Sequence, residues 1–165
     1  MFNKNKWKEP IYKQDVIGVI VNGLLAAILG GILGGSLDYL LGIVWNFPIS
    51  FSVLILVFFI IWRVRKGFYS FHILYPVLAL VFLVIGIFVV EYTVVAIGYI
   101  QMGYYQIHLI LITPLFWEQF LMTPIYELRL GIMYGSAKDI ILGILDVIFY
   151  IWAFWYTYRM VKGRN

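Results

Sequence analysis

Cysteine is absent from the 165 residues, which removes disulfides, thiolate metal sites and thiol nucleophiles together. Charge is scarce as well: 12% of the residues are Asp, Glu, Lys or Arg, where a soluble domain carries about 25%. No G-x-S-x-G, no phosphate-cradling glycine loop and no H-E-x-x-H occurs, so the common hydrolase, nucleotide and zinc-protease signatures are missing. His72 and His108 fall on opposite sides of the membrane in the topology read below, and no third ligand stands at helical spacing from His108 and Glu118. Neither a metal nor another cofactor is expected. The net charge of +4 comes without a basic recognition helix or a stacking platform, and nucleic acid is not an expected partner.

Hydrophobic residues make up 64% of the chain. A chain this short, folded in water, hides only about two-thirds of its unfolded surface, so lipid has to be the solvent. Val16–Gly35, Ser52–Trp62 and Leu74–Val90 carry no charge, and about 18 apolar residues suffice for a spanning helix. The basic start resembles a secretory signal, but the apolar run continues past Gly35 without an A-x-A-like site, so an uncleaved first helix is expected.

The expected fold is an all-α integral membrane bundle, one transmembrane domain over residues 1–165, with four spans at about 16–45, 47–62, 69–100 and 137–158. Asn46 and Pro48 supply the first turn, and Arg63, Arg65, Lys66 and Gly67 close the second helix. Residues 101–136 form the external segment. Their apolar centre, His108–Met122, is broken by Pro114, Glu118 and Gln119, each costly against lipid, which favours an interfacial or re-entrant helix. Five spans are the alternative. The four-span threading leaves Lys4, Lys6, Lys8, Lys13, Arg63, Arg65, Lys66, Arg159, Lys162 and Arg164 inside and only Arg129 and Lys138 outside. By the positive-inside rule, both termini are then cytoplasmic in a multi-pass protein of the cell membrane. Lys4, Lys6, Lys8 and Lys13, interleaved with Phe2, Trp7 and Tyr12, suit anionic headgroups at the inner face.

The first apolar segment carries two rows of small residues. Gly23, Ala27, Gly31 and Gly35 recur every fourth position, and Ala26, Gly30, Gly34, Asp38 and Gly42 form the adjacent row. Such rows let helix backbones approach closely, which matters where hydrophobicity no longer drives helices together. The expected contact is within the chain, against the third or fourth helix. Another membrane protein or a second copy is the alternative partner.

Four acidic residues are candidates for chemistry. Asp38, Glu91 and Asp139 fall near the outer boundary on the four-span threading, where Arg129 and Lys138 are expected to pair with some of the carboxylates and pin the external segment to the helix ends. The alternative is a cation-attracting vestibule or a carboxylate pair whose pKa values are pushed apart. Asp146 lies about nine residues into the last helix, where a charge costs about 2.5–3.5 kcal/mol. It shares a face with Asp139, Gly143 and Tyr150, and either locks helices together, through Tyr150 or Asn22, or couples to an ion or proton.

The order of features resembles that of small bacterial four-helix membrane proteins without a characterised activity. A glycine-rich first helix ends in Trp45, a second in Arg63-Val64-Arg65-Lys66-Gly67, and a C-terminal helix in arginines. The resemblance is one of organisation and implies the fold alone. Three functions stay open: a non-enzymatic accessory, assembly or scaffold subunit; a small transporter or ion-coupled component; and a membrane-embedded enzyme acting on lipid.

Overall fold

The computed structural model describes residues 10–45 and 50–163, with the side chains of Ile43 and Glu127 also outside the description. Phe2, Lys4, Lys6, Trp7, Lys8, Asn46, Phe47, Pro48 and Arg164, which the sequence reading assigns to an anchor, a turn and the inner charge set, lie outside it. Every regular element among the described residues is helical. The long elements are α1 (Lys13–Asp38), α2 (Ser52–Lys66), α3 (Leu74–Gln101) and α6 (Ala137–Lys162), with the nine-residue α4 (Pro114–Met122) and α5 (Tyr126–Tyr134) between the last two.

Three helices are long and apolar enough to cross a membrane: Lys13–Gly42, Leu74–Gln101 and Ala137–Lys162. At 1.5 Å per residue they measure about 45, 42 and 39 Å, each more than the roughly 30 Å hydrocarbon core. The second helix has 15 residues, about 22 Å, and falls short of that thickness. It starts at Ser52, later than the expected 47, and runs on past Trp62. Arg63, Arg65 and Lys66 complete its last turn, where cations face the negative end of the helix dipole.

The distribution of side chains is the inverse of a water-soluble helix. The buried face of α1 holds mostly small residues, Gly23, Ala26, Ala27, Gly30, Gly31, Gly34 and Gly35, while Ile17, Val21, Leu25, Ile28, Leu29, Ile32 and Leu33 are exposed. A face of that kind is stable against hydrocarbon and would be an aggregation site in water. The chain is therefore built as a membrane-embedded protein.

Contacts divide the chain into two compact units, one of residues up to Val94 together with those from Phe154 onward, the other Val95–Ala153. In the first unit α2 runs antiparallel to α1, since Gly34 meets Ser52, Gly30 meets Leu56 and Gly18 meets Gly67. The third helix runs parallel to α1, since Gly23 meets Phe82, Gly31 meets Val89 and Gly35 meets Val90 and Thr93.

The second unit takes shape around turns. Residues Ile107–Ile112 wind as a 3-10 helix, Pro114 opens α4 at its first position, and a second 3-10 turn, Thr123–Ile125, separates α4 from α5. Gly135 ends α5 in the left-handed region at φ 68°, a conformation that glycine adopts without strain. Ser136 then caps α6, its Oγ accepting the Asp139 N–H at 3.3 Å. The resulting hairpin is tight, because Gly131 abuts the Asp139–Ile140 backbone and Gly143 abuts that of Leu128.

Candidate functional site

The two rows of small residues on α1 face two different helices. A Cβ on Gly31 would stand 2.6 Å from Val89 Cβ, and one on Gly35 2.7 Å from the Val90 carbonyl oxygen, so the first row lies on α3. A Cβ on Gly34 would stand 2.9 Å from Ser52 Cβ, and one on Gly30 3.2 Å from Leu56 Cδ2, so the second row lies on α2 and not on the third or fourth helix. Real Cβ atoms do not approach that closely, and only glycine fits at the tightest of these positions. Gly42 departs from its row. It lies in the π-helical turn Tyr39–Val44, whose i→i+5 bonding turns later residues off the i+4 line, and no described atom lies within 4 Å of its Cβ position.

The second row ends in Asp38, which fastens the start of α2. Its Oδ2 accepts Ser50 Oγ–H at 2.5 Å, and its Oδ1 accepts the backbone N–H groups of Phe51 at 3.1 Å and Ser52 at 3.3 Å. A helix N-terminus leaves four N–H groups without intrahelical acceptors, and a carboxylate there satisfies them and complements the dipole. The task is a cap, supplied from another helix.

Asp15 fastens the loop that follows α2 in another way. It is 5% exposed and accepts the backbone N–H groups of Tyr69 at 3.3 Å and Ser70 at 3.1 Å, and Ser70 Oγ–H at 3.0 Å. Beside it Gly18 and Gly67 meet backbone to backbone. The sequence reading passed over Asp15. Its one signal is a carboxylate at the mouth of an uncharged run, with nothing local to pair with. His72 is also buried there, at 3% exposure, its Nδ1 accepting the Leu74 N–H at 3.1 Å at the start of α3.

The other acidic candidates are divided between the units. Glu91 is half-buried on α3, next to the Val90–Gly35 approach and so at the Asp38 end of the α1–α3 pair. Asp139 and Asp146 lie on the part of α6 within the second unit. Asp139 is in the first turn of α6, half-buried. Asp146 is half-buried midway along the helix and has no hydrogen-bond partner among the described residues. The Asn22 amide donates to Gly18 O at 2.8 Å within its own helix.

The second unit also holds a groove of about 300 Å³ lined by Leu115, Gln119, Met122, Tyr126 and Met133, with Glu118 and Arg129 bonded across it at 2.9 Å. Both charged side chains are about half exposed, so the pair is a weak tie between α4 and α5. Compared with known families, curated proteins and solved structures, the chain matches none. No group of three metal-binding side chains converges among the described residues.

Proposed function

We propose that this chain is a non-enzymatic accessory, assembly or scaffold subunit of the cell membrane that engages its partner through residues 101–136. One observation carries the reading. Within that stretch Met102, Tyr105, Ile112, Leu115, Leu121 and Tyr134 are each more than two-thirds exposed, the first two in the turn after α3 and the others on helices too short to cross a bilayer. A span presents such side chains to hydrocarbon along its length; on short helices and turns an apolar surface of this kind marks an interaction site, which this reading assigns to a protein partner. The glycine rows of α1 offer no such surface, because α2 and α3 already occupy them.

In this reading α2 is the fourth span, short enough to thin the bilayer around it, and both termini lie in the cytoplasm. The antiparallel α1–α2 pair, the parallel α1–α3 pair and the basic ends of α2 and α6 support that threading. A photo-crosslinker at Ile132 or Tyr134 is expected to trap a protein partner in membranes, while one at Leu24 on the exposed face of α1 traps lipid. Lipid adducts alone at all three positions would overturn the reading.

A second function, an ion- or proton-coupled component, has one observation in its favour, the unbonded Asp146 carboxylate in an apolar helix. Flux in proteoliposomes that Asp146→Asn abolishes would establish it. Flux equal to that of empty vesicles would remove it.

A further inference from the structure

An aromatic ring followed four residues later by a cation occurs three times at the ends of two helices: Trp62 with Lys66 on α2, and Trp155 with Arg159 and Tyr158 with Lys162 on α6. Each cation lies over its ring. Lys66 Nζ is 4.1 Å from the Trp62 ring centre, with the Arg63 guanidinium at 5.2 Å; Arg159 is 4.9 Å from Trp155 and Lys162 5.6 Å from Tyr158. The two helix ends are tied together. The Arg65 guanidinium donates to the Met160 carbonyl, and the Phe58 and Tyr156 rings meet edge to face at 6.2 Å. Charge at this end is unbalanced, for none of Arg63, Lys66, Arg159 and Lys162 has a carboxylate partner among the described residues, and the buried Arg63 Nε has no hydrogen-bond partner there. Asp15 offsets one charge at most and forms no ion pair with any of the four, its oxygens accepting from Tyr69 and Ser70.

Cations near a helix C-terminus also answer the helix dipole, but Arg65 already does so for α6, and four further charges exceed that need. Trp62 and Trp155, 48% and 54% exposed, supply the depth. Tryptophan settles at the headgroup level of a bilayer, so a cation held on its ring stands at the height of the lipid phosphates. We infer that the joined ends of α2 and α6 form a binding surface for anionic phospholipid headgroups, with Arg63, Lys66, Arg159 and Lys162 on the phosphates. The inference requires the membrane location and is independent of the scaffold reading.

The test is lipid binding to the full chain in mild detergent, titrated with phosphatidylglycerol, phosphatidylcholine or inorganic phosphate. Phosphatidylglycerol is expected to bind saturably and more tightly than phosphatidylcholine, and the preference is expected to shrink with salt. Each cation removed should weaken it about fivefold, so the double variant Lys66→Gln/Lys162→Gln loses roughly 25-fold. Lys66→Arg/Lys162→Arg, which keeps the charges, retains binding, and Arg129→Gln in the other unit leaves it unchanged. Equal binding of the two lipids, a double variant that binds like the parent, or a double variant whose circular dichroism shows lost helix would each overturn the assignment. Inorganic phosphate binding as tightly as the lipid would do so too, by making the free ion the ligand.

Discussion

In the unit that contains α1 and α2, a Cβ added to Gly31, Gly34 or Gly35 would collide with a neighbouring helix, and carboxylates of α1 collect backbone N–H groups at both ends of α2. Between Val95 and Ala153 the construction is looser. There the buried hydrophobic residues among those described are Ala96, Ile110, Phe116 and Ala153, the glycines that abut another helix are Gly131 and Gly143 of the α5–α6 hairpin, and the charged pair Glu118–Arg129 stands half in the open. On the function proposed above, the difference separates anchoring from interaction. In hydrocarbon, helices gain little from burying apolar surface against each other, so the stable unit is the one whose backbones come close enough for dispersion and polar caps to act.

Substitutions can break that comparison, beginning with the largest expected effect. Gly31→Leu should lower stability by about 3 kcal/mol or prevent folding, because Val89 and the Gly86 carbonyl leave no room for a side chain. Denaturant midpoints in detergent would show it. Asp15→Ala should cost about 2 kcal/mol, since it leaves buried N–H groups at Tyr69 and Ser70 without an acceptor. In the same assay Asp38→Ala should cost about 1 kcal/mol, as expected for loss of an exposed helix cap. Arg129→Gln should change stability by less than about 0.5 kcal/mol, because both partners of that ion pair are solvated. Gly42→Ala, on the same helix as Gly31 but past the π-turn, should be neutral or slightly stabilising. Equal losses for Gly31→Leu and Gly42→Leu would erase the distinction between packed and open glycines.

Much of this was legible in the chain, for identifiable reasons. The four-residue spacing of Gly23, Ala27, Gly31 and Gly35 and the adjacent row ending in Asp38 are visible by inspection, as are three long apolar helices. Which neighbour each row meets is not visible, because spacing defines a face and says nothing of what covers it. Gly42 was read as part of its row because a periodicity argument assumes a constant pitch, and the turn at Tyr39–Val44 changes it. Apolarity puts the end of α2 at Trp62, where lipid ends, whereas Arg63, Arg65 and Lys66 are good helix formers that carry the helix onward. Asp15 depends on residues 54 and 55 positions away, a closure that no local pattern encodes. The apolar stretch around residues 107–125 does not form one helix, and Pro114 and Pro124, both in the sequence, stand where its pieces begin.

Because the chain has no native cysteine, disulfide trapping tests the central claim without a background. Gly30→Cys combined with Leu56→Cys, which removes the Leu56 methyl that lies against Gly30, is expected to form an intramolecular disulfide in membranes under mild oxidation, while Ile28→Cys with Leu56→Cys, from the exposed face of α1, is not. Dimers linked through position 30 in place of the internal bond would contradict the account, because the glycine rows would then serve a second molecule instead of this chain's own helices.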